Sequence, residues 1–342
     1  MSRTMVQVTS GRIGARGEEV RRTDQDEFAA LAEPFRRELL AHCYRMTGSA
    51  DDAADLVQET YLRAWRAYDG FEGRSSLRAW MYKIATNVCL RARERRGRRP
   101  LPSGLGPASE DPHIAPVERA DVMWLEPLPD AAVTAGPADP AAIVTARETL
   151  RLALVAGLQH LPPRQRAVFI LTEALDFPAA DVAAMLGTSV AAVKSLLQRA
   201  RSGMAHVTAQ EGVAEPTEPE ARALLDQYMA AFENGDLTAL EQALRKDAAL
   251  EMTGYSTWFS GLETCLRYIG DVMGPPGTWR MLPTSANGQP AAAAYLRADD
   301  GTYAAFGIAV LTVASDGIER ITLFGEPALL PKFGFPPVFP CN

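Results

Sequence analysis

The chain has 342 residues, of which 47% are hydrophobic and 23% are charged, and its formal net charge is −7. This length exceeds one ordinary core, so we expect three compact units. No run of about 18 apolar residues and no signal-peptide pattern occurs, which excludes the usual membrane-protein and secreted classes and predicts a cytoplasmic protein. The cysteines are scattered without metal-ligand spacing, so the sequence predicts neither a metal site nor a cofactor.

The charge is unevenly distributed along the chain. Nine Lys or Arg and a single acid lie between Arg74 and Arg99, whereas ten acids and three bases lie between Glu211 and Glu251. A basic stretch of this density indicates a polyanion partner for the amino-terminal half. The acidic carboxy-terminal third is expected to bind something else.

Helical and strand-like periodicities, interrupted by Pro-rich and Gly-rich stretches, divide the chain. The predicted order is a disordered tail (1–24), an all-helical unit (25–97), a Pro-rich linker (98–140), a second all-helical unit with a helix-turn-helix (141–207), a short linker (208–219) and an α+β unit (220–342).

The first helical unit carries an acidic ladder and a basic helix end. Ser49 is a plausible N-cap for a helix in which acids recur every four residues, a pattern that is usually only a solvated face. In the next helix Lys83 and Asn87 lie beside an apolar stripe, and arginines follow. Arginines so placed can neutralise phosphates, while the Asn87 amide can read a base edge. A basic run that only keeps a helix end soluble is the alternative.

The stretches DDAADLVQETYLRAW (51–65) and FEGRSSLRAW (71–80) closely resemble region 2 of extracytoplasmic-function (ECF) sigma factors. The resemblance implies that the first helix docks on the clamp helices of the largest subunit of RNA polymerase, through Asp51, Asp55, Gln58, Glu59 and Arg63. It also implies that the 71–76 loop holds a base flipped from the −10 element, with the DNA-binding candidates Phe71, Arg74, Ser75, Lys83, Asn87, Arg91 and Arg95. Flipping a base costs a few kcal/mol, which a snug aromatic pocket and phosphate contacts can offset.

The second helical unit shows a helix-turn-helix pattern around Gly187, with Ser189 as the cap of the second helix. Inward positions are expected to be Val190, Val193, Leu197 and Ala200, and the outward candidate DNA readers are Ala191, Lys194, Ser195, Gln198 and Arg199. Any three-helix bundle can produce this spacing, so a purely structural role stays open on this pattern alone.

The segments LPPRQRAVF (161–169) and VKSLLQRAR (193–201) look like sigma region 4. This resemblance adds Arg164 to the −35 candidates and implies contact with the flap of the second polymerase subunit. Ala192 and Leu196 depart from the usual Thr and Arg of the family. We therefore expect weaker direct base reading and more weight on phosphates and DNA shape.

The linker contains Trp124 and Leu125 among several acids. One interpretation is a flexible spacer with an incidental aromatic residue. The other, which follows from the resemblance to sigma linkers, is that the Trp124 segment docks on the third unit in one state and enters the RNA channel of polymerase in another.

The third unit resembles the SnoaL-like, nuclear-transport-factor-like cone, which a subgroup of ECF factors carries as a regulatory extension. Every histidine precedes it, so we expect no acid–base enzyme there, and Asp247 and Glu251 are expected at the surface or at strand ends. The aromatic residues that could line a pocket for a small-molecule ligand, or could be plain core, are Tyr255, Trp258, Trp279 and Phe306.

Together these patterns predict a sigma factor that binds core RNA polymerase, recognises −35 and −10 promoter elements and promotes DNA melting, modulated by its SnoaL-like domain. A ligand-sensing repressor that uses only the helix-turn-helix is one rival, but it leaves residues 51–80 unexplained. A polyketide-type cyclase fused to a DNA tether is the other.

Overall fold

The structure is a computed structural model that describes residues 27–73, 75–93, 97–133, 149–210 and 217–339. The predicted tail at 1–24 and the candidates Arg74 and Arg95 lie outside the described residues.

The first unit is built from α1 (Arg36–Thr47), α2 (Ala50–Ala67) and α3 (Leu77–Arg93). Gly48 ends α1 with a φ of 71°, a left-handed conformation that costs glycine little. Ser49 then caps α2 as predicted, because its hydroxyl accepts a hydrogen bond from the Asp52 amide at 3.1 Å. The left-handed Gly48 and the N-cap Ser49 together set the direction in which the chain leaves α1 and enters α2.

The second helical unit contains α5 (Leu152–His160), α6 (Pro163–Phe169) with a π-helical turn Ile170–Ala174, α7 (Ala179–Leu186) and α8 (Val190–Gln210). Between α7 and α8 Gly187 adopts a φ of 61°, and the Ser189 hydroxyl accepts from the Ala192 amide at 3.2 Å. The axes of α7 and α8 differ by 100°. The predicted helix-turn-helix is thus present.

Among the described residues, no helix by itself has both the length and the apolar character needed to cross a membrane; the bent α7–α8 pair meets that test only when its two helices are taken together.

Residues 97–133 of the linker are ordered and packed. They include a 3₁₀ turn at Pro102–Gly104 and the short helix α4 (Asp130–Val133). Single β-bridges tie the linker to the third unit, joining Ser109 to Phe259, Glu118 to Tyr255 and Pro129 to Ala286. The interpretation as a flexible spacer is therefore wrong for this part of the linker, because its backbone groups bond to the third unit and its Leu101, Leu125 and Leu128 side chains are buried in a core shared with the helical units.

The third unit is an α+β cone, as predicted. Its helices are α9 (Glu218–Asn234), α10 (Leu237–Ala243) and α11 (Leu262–Met273). Its strands are β1 (Leu244–Thr253), β2 (Trp258–Ser260), β3 (Trp279–Ala286), β4 (Gln289–Arg297), β5 (Tyr303–Ala314), β6 (Gly317–Phe324) and β7 (Val338–Phe339). They form one seven-stranded sheet in the order β2-β1-β6-β5-β4-β3, with β7 paired to β5. Only the β1–β6 pairing in this sheet is parallel among the described strands.

The sheet separates two hydrophobic cores. Successive side chains of a strand point to opposite faces, so Ala292 and Ala294 of β4 join the core inside the cone with α9 and α11. The intervening Ala291 and Ala293 join a larger core that also contains buried residues of both helical units and of the linker. The outer face of the sheet is thus continuous with the cores of the helical units.

Candidate nucleic-acid interface

The candidate polymerase-binding residues lie along one side of α2. Asp51, Asp55 and Gln58 are exposed, whereas Glu59 and Arg63 are half-buried and form an ion pair at 2.6 Å. Asp51 is also engaged by the third unit, because the Lys332 ammonium donates to its carboxylate at 2.7 Å. The third unit therefore contacts the same helix face that the sequence assigns to polymerase.

The linker covers the start of α2 through Glu126. One oxygen of the Glu126 carboxylate accepts from the Ser49 hydroxyl at 2.9 Å and from the Ala50 amide at 3.0 Å. The other accepts from Arg99 at 3.0 Å, and Arg99 also pairs with Asp52 at 3.1 Å. A carboxylate at a helix N-terminus is stabilised by the free amides and by the helix dipole. Glu126 and Arg99 are functional candidates that sequence reasoning missed.

The predicted linker residues Trp124 and Leu125 come directly before Glu126. Trp124 is half-buried, and its carbonyl accepts a hydrogen bond from Arg99 at 3.0 Å. Leu125 is fully buried, and its side chain lies next to Gly48 at the end of α1. The acidic composition of the linker and the cap residue Ser49 were both visible in the sequence, but their pairing was not, because nothing in the local pattern shows which distant carboxylate reaches the start of α2.

The −10 candidates Phe71, Ser75 and Lys83 line an open cavity of about 500 Å³. Its opposite wall is α7 of the second helical unit, through Asp181 and Met185 among others. Phe71 lies against Trp80 with ring centroids 4.9 Å apart, which supplies the expected aromatic rim. The cavity is therefore bounded by both helical units.

Asn87 and Arg91 lie on the next turns of α3. Arg91 is exposed, whereas Asn87 is half-buried, and its amide donates to the Lys83 carbonyl at 2.7 Å and to the Met185 carbonyl at 3.4 Å. In this arrangement the group predicted to read a base is bonded to α7.

Aromatic contacts reinforce the packing of the two helical units. Phe177, just before α7, meets the Tyr82 ring edge-on at a centroid distance of 5.2 Å. The Arg78 guanidinium lies 4.9 Å from the centre of the Phe177 ring and pairs with Glu38 at 3.0 Å. An apolar residue and a cation–π contact therefore hold α7 over α3.

The −35 candidates on α8, namely Ala191, Lys194, Ser195, Gln198 and Arg199, are all exposed, and so is Arg164 on α6. Val193 and Ala200 are fully buried and Leu197 partly so, as predicted. The inward placement of Val190 is wrong, since this residue is 40% exposed. As the first residue of α8 it precedes the turn that meets the core.

The predicted pocket residues are divided between two sides of the third unit. Trp279 and Phe306 line a cavity inside the cone. Tyr255 and Trp258 do not: the Trp258 indole donates to the Gly106 carbonyl at 2.9 Å, and Tyr255 is bridged to Glu118. Both lie at or next to the edge strand β2, where they contact the linker outside the cavity, so their assignment to the pocket is wrong.

The expectation for Asp247 and Glu251 holds for only one of them. Asp247 is exposed and pairs with Arg245 at 2.9 Å. Glu251 is fully buried; it accepts from the Ser103 amide at 3.1 Å and is ion-paired with Arg320. The surface expectation is wrong for Glu251 because the linker covers that part of β1.

The turn between β3 and β4 inserts Asn287 into a contact that we name the Asn287 junction, made by Asn287, Tyr44, Leu128 and Leu150. The Asn287 side-chain oxygen accepts a hydrogen bond from the Leu128 amide at 2.9 Å. The Asn287 side-chain nitrogen donates to the Tyr44 hydroxyl at 2.8 Å and to the Leu150 carbonyl at 2.7 Å. One fully buried side chain thus joins the third unit to α1, to the linker and to the segment before α5. The Asn-Gly pair signals a hairpin turn in sequence, but not its burial.

The family comparisons agree with this architecture. The family model Sigma-70 region 2 matches residues 31–99, and the model Sigma-70, region 4 matches residues 151–203. The chain is 52% identical over 314 residues to the ECF RNA polymerase sigma factor SigG of Mycobacterium tuberculosis. The matched residues make up 91% of this chain and 84% of SigG. The chain belongs to the ECF RNA polymerase sigma factors.

A second relative of this ECF sigma factor is SigJ of Mycobacterium tuberculosis, 34% identical over 218 residues, or 63% of this chain and 61% of the relative. The crystal structure of SigJ superposes on this chain with a TM-score of 0.58 and 24% sequence identity. The superposition includes 90% of this chain and 99% of the SigJ chain. That likeness shows the fold, in which helical sigma regions 2 and 4 are followed by a SnoaL-like cone. As a family member the chain is a DNA-binding transcription regulator that works with RNA polymerase.

Region 2 of the sigma factor also buries a titratable group in its core. His42 of α1 is fully buried, with one ring nitrogen hydrogen-bonded to Thr86 at 3.0 Å. Burial, and secondarily the nearby Arg45 charge, lowers the pKa of His42 to about 3. The imidazole is therefore neutral at physiological pH, and its protonation opposes folding.

Proposed function

We propose that this ECF sigma factor binds core RNA polymerase through α2 on the clamp helices and through region 4 on the flap. In this proposal Phe71, Arg74, Ser75, Lys83, Asn87, Arg91 and Arg95 recognise and melt the −10 element. The −35 element is read by Arg164 and by the exposed candidates of α8. The division into units at 25–97, 141–207 and 220–342, and a cytoplasmic location, are part of the same proposal.

We further propose that the SnoaL-like domain modulates this activity by holding the sigma regions together. The Asn287 junction is the observation that carries this step, because one side chain of the domain bonds to three other parts of the chain. A buried polar group that loses its partner costs about 1–3 kcal/mol. Separation of the domain from the sigma regions therefore has a substantial cost unless polymerase binding compensates for it.

Three contacts support a restrained free state. The Lys332–Asp51 ion pair occupies the polymerase face of α2, Glu126 caps the start of that helix, and α7 bounds the cavity of the −10 loop. Binding to polymerase and DNA then requires α7 and the linker to move. In the same proposal the Trp124 segment leaves its docked position and enters the RNA channel.

The chemistry of initiation is assigned to polymerase, and the sigma factor itself is proposed to be no enzyme. In the described part of the cone Glu251 is a buried acid, but it is already paired with Arg320 and with a linker amide. Its contacts are structural. A small-molecule ligand of the cone remains part of the proposal as a regulator and not as a substrate.

Run-off transcription and permanganate footprinting with core polymerase and the full chain test the proposal. Lys83→Ala is expected to reduce open-complex formation several-fold with little change in polymerase binding, while Lys246→Ala, an exposed lysine of the cone, serves as the matched control. Asn287→Gly is expected to raise initiation at limiting sigma concentration. The −10 assignment would be contradicted if the unaltered chain gave no promoter-directed initiation, or if the two lysine variants behaved alike. The regulatory step would be contradicted if Asn287→Gly left initiation unchanged.

A further inference from the structure

The cone encloses a cavity of about 140 Å³ between α9, α11 and the inner face of the sheet. Its walls are aliphatic and aromatic side chains, among them Phe232, Trp279, Ala294 and Phe306. None of the described lining residues is charged. An apolar cavity of about 150 Å³ is large enough to hold a benzene molecule in a protein interior.

The aromatic wall of the cavity is rigidly built. Phe232 and Phe306 meet Trp279 edge-on, at centroid distances of 6.2 Å and 5.0 Å. The Trp279 indole N–H is already satisfied, because it donates to the Met273 carbonyl at 2.8 Å. The shape of this wall is therefore fixed without a ligand, and it presents ring edges and faces to an occupant.

Tyr228 of α9 is the exception to this satisfied lining. Its side chain lines the cavity and the residue is only 3% exposed, yet its hydroxyl makes no hydrogen bond to any described residue. Burial raises the pKa of the Tyr228 phenol above its ordinary value, so the group is an uncharged donor at neutral pH. The hydroxyl is open to the cavity and not sealed in the core, so a ligand oxygen or nitrogen inside the cavity can form a hydrogen bond with it.

The cavity opens toward α11. Val272 of that helix lines the cavity and is 46% exposed, and Tyr268 lies one turn before it. The Tyr268 hydroxyl has only the Met252 sulfur as a partner, at 3.4 Å, which is a weak acceptor. A molecule that enters past Val272 therefore meets an almost entirely apolar surface.

We propose that the cone of this sigma factor binds one small, uncharged molecule of about the size of a single aromatic ring, which carries one hydrogen-bonding group that pairs with Tyr228. This inference deepens the ligand part of the proposed function and rests on it. Charged molecules are excluded, because the lining offers no opposite charge to offset their desolvation. Polyaromatic molecules are excluded by the volume.

Calorimetric titration of the full chain with benzene and with phenol tests the inference. Both probes are expected to bind the unaltered protein. Tyr228→Phe is expected to leave benzene affinity within about twofold and to weaken phenol binding by about fivefold, the factor that one ordinary hydrogen bond contributes. Tyr255→Phe is the matched control, since it removes a tyrosine hydroxyl outside the cavity and should change neither affinity.

Ala294→Leu, which adds side-chain volume inside the cavity, is expected to abolish binding of both probes. Ala309→Val repeats the test with a smaller addition in case the first variant fails to fold, as judged by circular dichroism. Failure of both probes to bind the unaltered chain, retention of binding in a folded filled variant, or an equal loss of benzene and phenol affinity in Tyr228→Phe would each overturn the inference. Because no polymerase or DNA is present, this failure is distinguishable from a failure of the promoter assay.

Discussion

The outer face of the SnoaL-like sheet packs on the helical units, whereas its inner face lines a cavity, and selected polar side chains of the two faces differ accordingly. At the outer side Asn287 and Gln289 are buried and fully engaged: Gln289 accepts from the Leu152 amide at 3.0 Å and donates to Thr312 at 2.9 Å. On the inner side the Tyr228 hydroxyl faces the cavity and makes no hydrogen bond to a described residue. A satisfied polar network specifies one partner and one geometry, whereas an unsatisfied group beside a cavity leaves room for an exchangeable occupant. The outer face therefore suits a fixed intramolecular contact and the inner face suits a ligand.

The largest expected effect comes from the Asn287 junction. Asn287→Gly keeps the backbone at a φ of 58° accessible but removes all three side-chain hydrogen bonds. We expect the free energy of unfolding to fall by about 2–4 kcal/mol, because the Leu128 amide and the Leu150 carbonyl lose buried partners. Urea unfolding measures the change, and the exposed Asn234→Gly at the end of α9 is the control. A loss below about 1 kcal/mol would remove the distinction between the two faces.

The next effect is expected at Glu126, which links the linker to region 2. Glu126→Gln keeps the shape of the side chain but removes its charge from Arg99 and from the start of α2. We expect a loss of about 1–2 kcal/mol in urea unfolding, since both the ion pair and the helix-end interaction are partly shielded from solvent. The exposed Glu118→Gln should change stability by less than about 0.5 kcal/mol. Equal effects of the two variants would indicate that the linker cap contributes nothing.

Mild acid is expected to weaken region 2, because His42 is buried in its core. The pKa of His42 is about 3 in the folded protein against an ordinary value of 6.5. The unfolded chain thus binds more protons below pH 6.5, and stability falls as the pH decreases from 6.5 toward 3. From pH 7 to pH 5.5 we expect a loss of about 1 kcal/mol from this residue. His42→Gln should flatten this slope in urea unfolding, and the exposed His113→Gln should retain it; an identical slope in His42→Gln would contradict the assignment.

The smallest effect is expected at the inner face. Tyr228→Phe removes a hydroxyl that has no described partner, so the free energy of unfolding should change by less than about 0.5 kcal/mol or rise slightly. Thermal unfolding without added probes measures this change. A loss of more than about 1 kcal/mol would mean that the hydroxyl is already satisfied in the protein, and the two faces would then be alike.

The sequence determined the features that depend on local backbone chemistry and on periodicity. Ser49 as a helix cap, the left-handed Gly187 between α7 and α8, and the exposed positions of α8 follow from neighbours within a few residues. The strand runs at 303–313 and 318–324 were also predictable, because their β-branched composition needs no tertiary information. The run at 292–296 is also a strand, although it contains no β-branched residue. The proposed polymerase and DNA contacts still stand on the sequence resemblance and stay predictions.

Only the tertiary structure decided which residues at distant positions meet. Tyr255 and Trp258 are as aromatic as Trp279 and Phe306, yet the linker covers the first pair and the cavity receives the second. Glu126 and Asn287 find partners 76 and 243 residues away. Such contacts depend on how preformed elements pack and on which backbone amides their ends leave free, and neither is encoded in the spacing of residues along one helix or strand.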